Sequence, residues 1–122
     1  MDMIRKIALG IIFIASGLGM SMYADDKPRF PGGEEALKKY VKENTRYPET
    51  AKENGVEGVV VVDFMVEING QLQNFKVEKF IDPDLETEAL RLVKGMPAWI
   101  PAEKEGSPVV APAKVEVPFI LE

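Results

Sequence analysis

The strongest constraint on the fold is a strand pattern that leads directly into a hairpin turn. Apolar residues recur at every second position between residues 58 and 68, which is the period of a β-strand with one buried face. They are Val60, Val62, Phe64, Val66 and Ile68. Asn69-Gly70 follows and is typical of a tight hairpin in which both turn residues have positive φ. The chain is therefore expected to return antiparallel to this strand.

Two further strands are expected. The returning strand is predicted over residues 72–80, where Leu72 is out of phase with Phe75, so we expect a β-bulge near residues 73–74. The last strand is predicted over residues 109–121, because its odd-numbered residues are apolar and its even-numbered residues are mostly charged or proline. Each predicted strand thus has one face suited to a core.

Three helices complete the pattern. The first begins at Glu34, the second follows Pro48 over residues 49–54, and the third begins near Asp82-Pro83 and ends at Gly95 or Met96. The first carries four apolar residues at helical spacing: Ala36, Leu37, Tyr40 and Val41. The order helix, short helix, strand, strand, helix, strand predicts an α+β fold of two layers, with helices packed on one face of an antiparallel sheet of about three strands.

The N-terminal residues are set apart from the rest. Arg5 and Lys6 precede a long uncharged apolar run, which is typical of a secretory signal peptide, and an uncleaved membrane anchor is the alternative. We expect a signal peptide over residues 1–24, a short connecting segment over residues 25–33 and one domain over residues 34–122. The net charge of −5 makes nucleic acid an unsuitable partner.

Composition also argues against catalysis. The chain contains no histidine and no cysteine, so the common metal sites and nucleophilic triads cannot be assembled from it. Its carboxylates are plentiful, but they fall where helix starts, solvated helix faces and loops are predicted, as surface charges do. We therefore expect no cofactor, no metal and no enzymatic activity.

Two prolines orient the last strand. In a strand, the N–H and C=O of one residue point to the same neighbour, and those of the next residue point to the opposite side. Pro112 and Pro118 share a parity and cannot donate a bond, so the even-numbered side is expected to face solvent. An extended peptide can add to such an edge, although prolines and charges also protect edges against aggregation. The expected free donors are those of Val110, Lys114, Glu116 and Ile120.

A series of short motifs runs in order through most of the chain. It comprises Tyr47-Pro48, Gly55, Gly58, Asn69-Gly70, Glu88-Ala89, Met96-Pro97-x-Trp99-x-Pro101, Gly106-x-Pro108-Val109 and Val117-Pro118-x-Ile120. Taken together, and over about residues 30 to 121, this series resembles the TonB C-terminal domain family.

The resemblance implies a periplasmic domain of a Gram-negative cell that contacts outer-membrane transporters. In that family the transporter's short N-terminal strand, the TonB box, adds to the edge of the last strand. The resemblance also implies partner contacts at Asn44, Arg46, Tyr47 and Pro48. Tyr47 and Pro48 are equally well explained as a structural corner, and Trp99 is expected to pack against the sheet.

Complete energy transducers of this family have an anchor with a functional histidine and a long proline-rich spacer, and neither feature occurs here. About nine residues between the apolar run and the domain cannot cross a periplasm. We therefore expect a small exported binding module. The alternative is an envelope adaptor that self-associates, with a homodimer formed by edge-strand pairing.

Overall fold

The computed structural model describes residues 26–79 and 81–122. The signal peptide expected over residues 1–24 lies outside this part. The helices are α1 (Glu34–Asn44), α2 (Glu49–Glu53) and α3 (Pro83–Lys94). The strands are β1 (Gly58–Val66), β2 (Leu72–Val77), β3 (Ala102–Lys104), β4 (Ser107–Val109) and β5 (Ala111–Phe119). β1 lies between β2 and β5 in an antiparallel sheet, which confirms the expected α+β fold.

The core forms on the face predicted from the alternating pattern. Val60 pairs with Val117 and Val62 with Val115, and all four side chains are buried, because directly opposed residues point to the same face of a sheet. Each fully buried aliphatic side chain contributes about 1.5–3 kcal/mol to folding. The strands β1 and β5 thus share one continuous apolar face.

Helix α3 covers this face. Its first turn is held by Asp82, whose Oδ2 accepts hydrogen bonds from the N–H groups of Asp84 (2.9 Å) and Leu85 (3.1 Å). The helix thus begins near Asp82-Pro83, as predicted, and it ends at Lys94, one residue before Gly95. Its buried apolar residues are Leu85, Ala89, Leu92 and Val93.

The hairpin turn differs from the expected type. β1 ends at Val66, and Ile68 is 57% exposed rather than part of the buried face. The N–H of Gly70 donates to the carbonyl of Glu67 (2.8 Å), and the N–H of Glu67 donates to the carbonyl of Gln71 (2.8 Å). This is a three-residue loop closed by a left-handed glycine, so Gly70 has positive φ (89°) and Asn69 does not.

The predicted bulge in β2 is confirmed. Asp63 pairs with Lys76 and Met65 with Gln73, so two residues of β2 oppose the single residue Phe64. One of the two, Asn74, has φ of 58°, a conformation that asparagine tolerates better than most residues. The bulge corrects the phase of β2, which ends at Val77, earlier than the predicted residue 80.

The predicted last strand is divided in two. β4 pairs with β3 in a separate hairpin, whose turn residues Glu105 and Gly106 have φ of 53° and 82°. Val110 lies at the break, where the chain passes from this hairpin into the main sheet. Strands of three residues are too short to show a period in the sequence, which explains why this hairpin was not predicted.

The segment before α1 is part of the fold. The backbone groups of Arg29 and Ile100 exchange two hydrogen bonds (3.0 and 2.8 Å), so this segment pairs with the chain next to β3. Phe30 is buried, with its ring 5.5 Å from that of Tyr40 and 5.9 Å from that of Trp99. Among residues 26–79 and 81–122, no helix is long and apolar enough to span a membrane.

Candidate functional site: a groove along the edge of β5

β5 is an edge strand with one open side. Pro112 pairs with Met65 and Pro118 with Val59. Since proline has no N–H, these are non-hydrogen-bonded pairs, and the alternation of an antiparallel ladder directs the even-numbered N–H and C=O groups away from β1. Within the described part of the chain, no strand pairs with this side.

Helix α1 faces this open side across a groove. The groove has a volume of about 720 Å³. Leu37 and Val41 of α1 form one wall, and Val115, Pro118 and Ile120 form the other. The groove therefore combines unpaired backbone groups with an apolar lining.

A second cavity, of about 1040 Å³, continues the groove towards the start of β5. The two cavities share Glu34, Leu37 and Lys114. The second is lined also by Phe30 and Pro112. Together they follow β5 from residue 111 to residue 120, which is long enough for an extended segment of several residues.

The loop between α1 and α2 closes the far end of the groove. Thr45 lines the groove directly. The ring of Tyr47 packs edge-on against Phe119 of β5, with ring centroids 5.6 Å apart, and its hydroxyl donates to the carbonyl of Val56. Burial, and secondarily the charge of Glu57, raise the pKa of Tyr47. Tyr47 therefore forms a structural corner at the end of the edge strand.

This loop is held in place by α3. Glu88 is 8% exposed, and its Oε2 accepts from the backbone N–H of Arg46 (2.6 Å). Both of its oxygens also accept from the guanidinium of Arg91 (2.7 Å each), which donates to the carbonyl of Asn44 (2.9 Å). Burial disfavours the charged form of Glu88, but Arg91 and the N–H of Arg46 outweigh it and hold the pKa of Glu88 below its ordinary value.

A charged cluster lies on the outer face of the sheet. The Nζ of Lys114 is 3.0 Å from Oε2 of Glu78, and this pairing lowers the pKa of Glu78 and raises that of Lys114. Burial, followed by the hydrogen bond and charge of Glu78, raises the pKa of Asp63. The Oδ1 of Asp63 is buried and has no hydrogen-bond partner. Asp63 thus lies beside the pair of Lys114 and Glu78 with one of its two oxygens unsatisfied.

The structure separates the predicted site residues into two groups. Lys114 and Glu116 lie within β5, on the parity of its open side. Val110 (47% exposed) and Ile120 (60% exposed) flank β5 instead of lying in it, because the strand is shorter than expected. Ile120 still lines the groove, whereas Val110 lines neither cavity.

Asn44 and Arg46, two of the predicted partner contacts, are bound by α3 through their backbone groups. The side chain of Asn44 donates to the carbonyl of Tyr40 (2.8 Å), and the side chain of Arg46 is exposed. Neither lines the groove, while Thr45 between them does. Pro48 caps the start of α2.

Sequence reasoning missed the role of Glu88. Its position in the apolar stripe of α3, three residues after Leu85 and four before Leu92, is the signal that could have identified it.

This arrangement offers an extended chain hydrogen-bonding groups on one side and apolar contacts on the other. The described residues contain no cluster of three or more His, Cys, Asp or Glu able to hold a metal ion. Fold and groove together define a class of small α+β domains whose last strand is an open edge beside a helix.

Comparison with known proteins identifies the family of the chain. The sequence model of the family described as the C-terminal domain of the Gram-negative bacterial TonB protein matches residues 43–121. The chain therefore belongs to the TonB C-terminal domain family, as its motifs predicted.

The solved structures similar to this chain include two NMR solution structures of Helicobacter pylori TonB-CTD. One superposes with a TM-score of 0.55 at 25% sequence identity, covering 75% of this chain and 87% of the other. A shorter form gives a TM-score of 0.52 at 23% identity, covering 70% of this chain and 89% of the other, and bears on the fold alone. No curated protein sequence matches this chain significantly.

Proposed function

We propose that this chain is a noncatalytic periplasmic binding module that takes up an extended segment of a TonB-dependent outer-membrane transporter along β5. The observation that carries the proposal is the open, even-numbered side of β5 facing the groove beside α1. Membership of the TonB C-terminal domain family supports this partner class. Residues 1–24 would direct export, and the contact set would centre on Lys114, Glu116 and Ile120.

The energetics favour reversible binding. The edge between the two prolines offers two donors, the N–H groups of Lys114 and Glu116, together with outward carbonyls. Each backbone bond contributes about 1 kcal/mol net, whereas association costs at least about 4 kcal/mol. Main-chain pairing alone is therefore insufficient, and contacts with Leu37 and Val41 would supply part of the affinity. A partner with alternating apolar residues fits this requirement.

The proposal is tested by NMR titration of the exported protein with synthetic peptides from transporter N-termini. We expect the largest amide shifts at Lys114 and Glu116, accompanied by shifts in the facing residues of α1. Saturable binding with shifts confined to β3 and β4 would refute the assigned surface. A control peptide with proline at a position whose N–H would point towards β5 should bind more weakly, because one bond of the ladder is lost.

Self-association through the same edge is the second candidate, and one feature of β5 favours it. In a two-fold antiparallel pairing, Lys114 of one copy would lie opposite Glu116 of the other, which gives two favourable cross-strand charge pairs. In the same register Pro112 would oppose Pro118, so neither end of the pairing could form hydrogen bonds. Sedimentation over a range of protein concentrations, without peptide, distinguishes a dimer from a monomer.

A further inference from the structure

Glu88 is unusual because it is the one buried charged side chain among residues 26–79 and 81–122. It occupies a position on α3 where an apolar residue would pack against the core, next to Ala89. Burying a carboxylate is costly unless it is paired, and replacing a buried ion pair by apolar residues is often neutral or stabilising. Stability alone therefore does not account for a charged group here, and its contacts indicate a more specific role.

All of the contacts of Glu88 lead to the α1–α2 loop. One of its oxygens accepts a hydrogen bond from the N–H of Arg46. Its partner Arg91 donates both to Glu88 and to the carbonyl of Asn44. These two backbone groups lie on either side of Thr45, which lines the groove. Glu88 and Arg91 thus tie the backbone immediately before and after this wall residue to α3, while the N–H (3.1 Å) and hydroxyl of Thr45 itself donate to the carbonyl of Val41 in α1.

The same loop contacts the edge strand. Tyr47 follows Arg46 directly and packs against Phe119 at the end of β5. The hydroxyl of Tyr40 makes another polar link from the C-terminal half of α1 to α3, a longer hydrogen bond to the carbonyl of Leu92 (3.4 Å). The distance between α1 and β5 at this end therefore depends on the loop as well as on the packing of Val41 in the core.

We propose that Glu88 and Arg91 act as a clamp that positions the loop around Thr45 and thereby sets the width of the groove and its affinity for an extended segment. This inference rests on the proposed function of the groove. Glu88 and Arg91 are positioning residues, since neither lines the groove. The clamp requires the charged carboxylate, because only that form accepts all of these hydrogen bonds at once.

The test compares Glu88→Gln with Glu86→Gln, a matched change on the same helix at a partly exposed position. Affinity is measured well below the unfolding temperature, with a synthetic peptide carrying a TonB box. We expect Glu88→Gln to weaken binding about tenfold and Glu86→Gln to change it less than twofold. Arg91→Lys keeps the charge but loses the forked geometry, so it should give an intermediate loss. If Glu88→Gln does not fold, the affinity of Arg91→Lys is the measurement that tests the proposal.

A purely structural role would give a different result. In that case Glu88→Gln would lower the unfolding temperature while the folded protein bound peptide as tightly as wild type, and the proposal would be overturned. Amide exchange adds a readout that needs no peptide: the N–H of Arg46 should exchange at least tenfold faster in Glu88→Gln, with Lys114 unchanged. If wild type binds no peptide, the proposed function fails, while unchanged exchange at Arg46 would separately refute the clamp.

Discussion

The sharpest prediction concerns a single N–H group on the edge of β5. Glu116 pairs with Val61 in the same parity as Pro112 and Pro118, so its N–H points away from β1. Replacing it by proline removes this outward donor and no internal ladder bond. Because two prolines already occupy this parity of the strand, we expect Glu116→Pro to change the free energy of unfolding by less than about 1 kcal/mol.

The effect on binding should be much larger. Loss of the donor leaves a carbonyl of the added segment unsatisfied, which costs about 1–3 kcal/mol. At about 1.4 kcal/mol per factor of ten, the dissociation constant should rise roughly 5- to 150-fold. Isothermal titration with a TonB-box peptide measures this change, and thermal unfolding of the same samples establishes that the variant is folded.

Glu116→Ala is the matched control, because it removes the carboxylate but keeps the N–H. We expect it to bind within about twofold of wild type, since an exposed charge contributes little. A folded Glu116→Pro variant with wild-type affinity would refute backbone pairing at this edge. Equal losses in the alanine and proline variants would instead assign the contact to the side chain.

Two further changes test the local physics of the sheet. Asp63→Asn should raise the free energy of unfolding at pH 7 by about 1 kcal/mol in urea denaturation, because it removes a partly exposed carboxylate, one oxygen of which is buried without a hydrogen-bond partner, from beside Glu78. Because the pKa of Asp63 is raised, Asp63 becomes protonated as pH falls and the unfavourable charge in wild type is removed. The stability difference between Asp63→Asn and wild type should therefore shrink towards pH 4, and a difference that grew would contradict this explanation. Gly70→Ala should lower the free energy of unfolding by roughly 2–4 kcal/mol, because φ is 89° and its Cβ would lie 2.3 Å from the carbonyl oxygen of Trp99. Gly106→Ala, with similar φ but open space, should cost only about 1 kcal/mol, and equal losses would count against the contact.

The pH dependence of the clamp has the opposite sign to that of Asp63. The pKa of Glu88 is held below its ordinary value, so its contribution to stability is present above about pH 4.3 and is lost as pH falls through the folded value. Affinity for the peptide should fall over the same range in wild type and stay flat in Glu88→Gln. A parallel loss in both proteins would show that another group is responsible.

Those parts of the fold that rest on periodicity were predictable. The alternation of apolar residues in β1 predicted its buried face. Leu72 is out of phase with the apolar residues that follow it, and this predicted the bulge in which Asn74 and Phe75 lie opposite one residue of β1. The turn was mispredicted because Asn69-Gly70 fits two loop lengths, and only the bonds of Glu67 decide between them.

The site was predictable only in its strand. Proline parity in β5 gave the open side, because it follows from covalent chemistry at two positions. That α1 forms the opposite wall depends on tertiary packing, which carries no local signal. The clamp depends on a contact between Glu88 and Arg46, 42 residues apart in the chain, and no spacing rule connects them.

Protection and recognition need not be alternatives for the prolines of β5. A proline at each end of the open side stops a long flat edge from pairing along its whole length, which is the requirement for avoiding aggregation. The same placement leaves only the N–H groups of Lys114 and Glu116 between them. A partner must therefore place its acceptors in one register and obtain its remaining affinity from the groove, where the position of α1 decides what fits.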